Sequence, residues 1–72
     1  MKLELNEEQQ IIILNALHIN YMNTKLFFKD NNINEEDVGM ITPRQYAGLH
    51  NVILQNAHDE GNLEILSLIR YN

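Results

Sequence analysis

The sequence predicts an all-α fold, a small helical hairpin or a three-helix bundle with a long first helix, in one domain spanning residues 1–72. Three observations carry this. Apolar residues recur at spacings of three and four along most of the chain. Two start signals, Asn6 to Gln9 and Thr42 to Gln45, have the form of capping boxes. The breaks between periodic stretches hold asparagine or glycine, residues that tolerate left-handed backbone.

The first helix is expected over residues 6–30. Asn6 is a good N-cap, Gln9 stands at the capping-box position, and Glu7 and Glu8 suit the positive helix end. The run Asp30-Asn31-Asn32-Ile33-Asn34 then forms turns, because its short polar side chains compete for backbone hydrogen bonds. Asn34 to Val38 is expected to add one short helical turn before Gly39. Thr42-Pro43-Arg44-Gln45 opens a second helix over residues 43–59, with proline at the first helical position and Gly61 as the left-handed stop. Asn62 is expected to cap a short third helix over residues 62–70, with Glu64 in its first turn and Arg70 in its last.

At 100° per residue the first helix carries two apolar stripes. Leu14, Leu17, Tyr21, Thr24 and Phe28 form one, and Ile12, Ala16, Ile19, Asn23 and Leu26 form another about half a turn away. Asn15, His18, Lys25 and Lys29 run between them along a polar strip. The second helix presents Tyr46, Leu49, His50, Ile53, Leu54 and Ala57 on one face and can cover one stripe. A third helix of about two turns, roughly 12 Å, is short against a first helix of roughly 35 Å. Either it covers the second stripe together with Leu3 and Leu5, or that stripe stays open as an interface. We expect a homodimer through Ile12, Ala16, Ile19 and Leu26.

Ten acidic against five basic residues leave a net charge of -5, which disfavours binding to nucleic acid phosphates or anionic lipid. A basic-faced protein partner is favoured instead, with Glu35, Glu36 and Asp37 as its contact. The longest apolar run, Ile11 to Leu14, is far below the roughly 20 residues of a membrane span. The start turns acidic where an export signal turns apolar, so a cytoplasmic location is expected. Without cysteine, no disulfide or thiolate site is available. Eleven asparagines and nine isoleucines match an AT-rich coding sequence, as in many bacteria and their phages.

The chemistry-bearing residues point away from catalysis, and no catalytic, cofactor or metal residue is expected. His50 and His58 stand eight apart and His18 lies on another helix, so no helical pair is spaced to share a metal. The adjacent carboxylates Glu7-Glu8, Glu35-Glu36-Asp37 and Asp59-Glu60 fall at helix ends and turns, where water solvates them. Ser67 is the one serine, and no glycine-rich phosphate loop is present.

The segment Gly39-Met40-Ile41-Thr42-Pro43-Arg44-Gln45-Tyr46 resembles the exit of an EF-hand loop. Calcium does not follow, because neither loop register supplies the ligands. Begun at Asp30, the loop has Glu35 for its glycine and Ile41 for its bidentate glutamate. Begun at Asn34, it has Val38 and Gln45 at ligand places. The resemblance implies a metal-free helix-loop-helix scaffold that binds protein.

The expected function is that of a small non-enzymatic adaptor or inhibitor, of the kind a phage or mobile element carries, acting by protein contact. Two alternatives are a DNA-associated transcription regulator using Arg44 or Arg70, and an acidic DNA mimic that inhibits a nucleic-acid enzyme.

Overall fold

The computed structural model describes residues 4–37 and 39–70. Among these there are two α-helices, α1 (Glu7–Asp30) and α2 (Pro43–Asp59), joined through a 3-10 turn at Glu35–Asp37, and no strand. The architecture is a helical hairpin.

Both starts are made by the capping boxes. The Asn6 Oδ1 accepts from the Gln9 amide at 2.8 Å, and the Gln9 Oε1 accepts from the Asn6 amide at 3.0 Å. Thr42 and Gln45 repeat the arrangement at α2, where the Gln45 Oε1 accepts from the Thr42 amide at 2.8 Å. Both helices also stop in the same way. Beyond α1, Asn32 takes a left-handed φ of 53° and the Ile33 amide reaches back to the Phe28 carbonyl at 2.9 Å. Beyond α2, Gly61 takes φ 79° and the Asn62 amide reaches the Ala57 carbonyl at 2.8 Å. These are Schellman closures, which satisfy carbonyls the helix leaves unpaired.

The expected third helix over residues 62–70 is not formed. Leu63 adopts a left-handed φ of 54°, which breaks the helix at its first position. One turn follows, closed by the Leu66 amide on the Leu63 carbonyl at 3.0 Å, and the chain then runs on without helix to Arg70. Two forces favour this outcome. An eight-residue helix is marginal by itself, and tertiary hydrogen bonds claim its backbone. The Asn51 side-chain Nδ2 donates to the Ile69 carbonyl at 2.8 Å, and its Oδ1 accepts from the Ile69 backbone amide at 2.7 Å. Tyr21 Oη donates to the Arg70 carbonyl at 3.4 Å, and His58 Nε2 lies 3.0 Å from the Leu63 carbonyl.

The core is small. Leu14, Leu54, Ala57 and Leu63 form its centre with Ile53 packed against them, and Tyr21, Phe28 and Ala47 are buried nearby. On α1 the buried residues Gln10, Leu14, Tyr21 and Phe28, with Leu17 and Thr24 half-buried, follow the first stripe. On α2 the buried face is turned by about 50° from the expected one. Pro43, Ala47, His50, Leu54 and Ala57 are inside, whereas Leu49 is 52% exposed. Ala47 is fully buried, and Asn51 and His58 hydrogen-bond the C-terminal segment from this side of the helix.

The molecule is thin, with principal extents of 39 × 29 × 17 Å. A thickness near that of one layer of helices leaves each helix covered on one side only.

Candidate protein-binding surface

The side of α1 turned away from α2 is built by the second stripe. Ile12, Ile19 and Leu26 are 61%, 60% and 57% exposed, and Ala16 and Asn23 between them are exposed as well. Steps of seven residues fall back by only about 20° on a straight helix, so these side chains make a nearly straight line. The centre of the line lies about 175° round the helix from the buried side. Within the described residues, neither α2 nor the C-terminal segment reaches it. Leu5 is half-buried, and Leu3 lies outside the described residues.

Some of this surface was not legible as binding residues in the stripe alone. Met22 is 58% exposed on one flank and Phe27 48% on the other. Phe27 continues into a shallow hollow with Asn23, Thr24, Met40, Ile41 and Tyr46. Reading the flanks at seven-residue steps, rather than the stripe alone, brings out Met22 and Phe27.

The acidic segment is arranged differently from a free patch. The Glu35 Oε1 accepts from the Arg44 amide at 3.2 Å, satisfying a first-turn donor of α2, and the Asn34 Oδ1 accepts from the Glu36 amide at 3.0 Å. Glu35 therefore helps to start α2, Glu36 is exposed, and the Asp37 side chain lies outside the described residues. A hollow of about 710 Å³ beside them is lined by Lys25, Lys29 and Arg44 as well as by Glu35 and Glu36. The local field is of mixed sign.

The histidines serve packing and hydrogen bonding. The rings of His18 and His50 lie 5.9 Å apart. The His50 Nδ1 is 2.9 Å from the Asn51 Oδ1. Because a backbone N–H can only donate and a carbonyl only accept, Ile69 fixes the orientation of the Asn51 amide, and Nδ1 of His50 then carries the proton that it donates. Among the described residues no group of three or more His, Asp or Glu is placed to hold a metal ion. Among the described residues no helix is long and apolar enough to cross a membrane.

Compared with protein families, curated proteins and solved structures, the chain matches none of them.

Proposed function

We propose that the protein is a binding module that acts by contact rather than catalysis, and that it self-associates through the exposed stripe of α1. One observation carries the reading: a helix of 24 residues presents Ile12, Ala16, Ile19 and Leu26 to solvent directly opposite its packed side. The surface area points the same way. The chain exposes 5699 Å², against about 4,600 Å² expected for a compact monomer of its mass. The surplus follows from the thin, single-layer shape, which leaves the outer side of α1 uncovered.

Contact with a target protein is proposed as the module's action, with exposed Glu36 as the accessible part of the acidic segment. Its mixed surroundings favour a partner that brings both signs of charge.

Light scattering over a range of concentrations tests the self-association. The expected result is a mass that rises from monomer toward dimer, and Ile19→Asp, which sets a charge in the middle of the stripe, should keep the chain monomeric with its helix content intact. A wild-type chain that remains monomeric at millimolar concentration would refute the reading.

A further inference from the structure

We propose that two copies of α1 pair antiparallel, with Glu8 of one protomer beside Lys29 of the other. This rests on the self-association proposed above and specifies its geometry.

In heptad terms Ile12, Ile19 and Leu26 occupy one core position of the seam, and Ala16 and Asn23 the other. Ala16 lets the backbones approach closely. The flanks decide the direction. One flank carries Glu8, Asn15, Met22 and Lys29 at steps of seven, so it begins with an acid and ends with a base. The opposite flank carries Ile13, Asn20 and Phe27.

A parallel pair sets each copy's first flank against the other's second, so Glu8 faces Ile13 and meets no opposite charge. An antiparallel pair sets like flanks together. Glu8 then faces Lys29, Asn15 faces Met22, Ile13 approaches Phe27, and Asn20 approaches its own copy. Asn23 falls level with the other protomer's Asn15, which gives its amide a polar neighbour within the seam.

The charges at the helix ends agree. Glu4, Glu7 and Glu8 are exposed at the start of α1, and Lys25 and Lys29, with Asp30, at its end. Neither Glu8 nor Lys29 forms an ion pair with a described residue. Parallel pairing would bring two acidic ends together and align the helix dipoles, whereas antiparallel pairing opposes both.

The chain contains no cysteine, so one spin label can be placed without background. We would label Glu7→Cys, an exposed site off the seam, and measure the label separation by double electron–electron resonance alongside the mass by sedimentation equilibrium. Antiparallel pairing about the centre of the stripe separates the labelled positions by about 35 Å along the helix. Parallel pairing holds them at the helix spacing plus the label arms, below about 25 Å. A dimer with the longer distance supports the proposal, and a dimer with the shorter one overturns the orientation while leaving self-association standing. A monomer at every concentration overturns both. Charge reversal reports on the pair itself: Glu8→Lys should weaken dimerisation on the order of tenfold at low salt, since each contact occurs twice. Combining it with Lys29→Glu in one chain should restore the affinity. Failure of the double variant to recover would overturn the Glu8 to Lys29 contact.

Discussion

At the scale of single residues, three left-handed backbone positions, Asn32, Gly61 and Leu63, decide where the helices end and where a third fails to begin. Glycine adopts this geometry freely, asparagine with little strain, and leucine at a cost of roughly 1–2 kcal/mol. Leu63 is held there by burial against Leu14, Leu54 and Ala57. A Cβ at Gly61 would meet nothing within 4 Å, so a substitution there acts through conformation alone. Gly61→Ala should therefore destabilise the fold by about 1 kcal/mol, as should Asn32→Ala, whereas Asn32→Gly should be neutral or mildly stabilising. Urea unfolding of the three variants checks this, and equal midpoints for alanine and glycine at position 32 would contradict it. Asn32 and Gly61 were legible because their residue types announce the geometry. Leu63 was not, since a leucine after an asparagine cap reads as the first residue of a helix, and only the packing around it says otherwise.

At the scale of elements, the bounds of α1 and α2 were readable because capping boxes and Schellman closures are local and repeat at both helices. The packed stripe of α1 was readable from its spacing. The rotation of α2 was not, because the capping Pro43 and the small Ala47 do not read as core residues, yet both are buried while the larger Leu49 is exposed. The C-terminal segment was not legible for a related reason: its partner is Asn51, a residue that periodicity assigns to the solvent side. The two hydrogen bonds between the Asn51 side chain and the Ile69 main chain hold that segment down. Asn51→Asp keeps the shape but removes the donor to the Ile69 carbonyl, setting a charged oxygen against it. The segment should detach at a cost of about 1–3 kcal/mol. Hydrogen exchange would show it as lost protection at the Ile69 amide with α1 and α2 protected as before, and an unchanged Ile69 amide would argue that apolar contacts hold the segment instead.

At the scale of the whole molecule, the radius of gyration of 13.5 Å exceeds the roughly 11 Å of a compact chain of this length. A single layer of two helices makes a small core and a large outer face, and association is one way for so short a chain to gain stability. If two copies share the stripe of α1, the melting temperature must rise with protein concentration by mass action, and Ile19→Asp must abolish that rise. A melting temperature independent of concentration over a hundredfold range would count against a stabilising dimer. The thinness also sets a constraint on α1 itself. This helix is a party wall, one backbone thick, with the core of the monomer on one side and the proposed interface on the other. Any bend or change of twist that improves the fit on one side shifts the side chains on the other. Fold and interface are therefore not free to vary separately, and a substitution buried at Leu14 or Tyr21 can alter association without touching the partner.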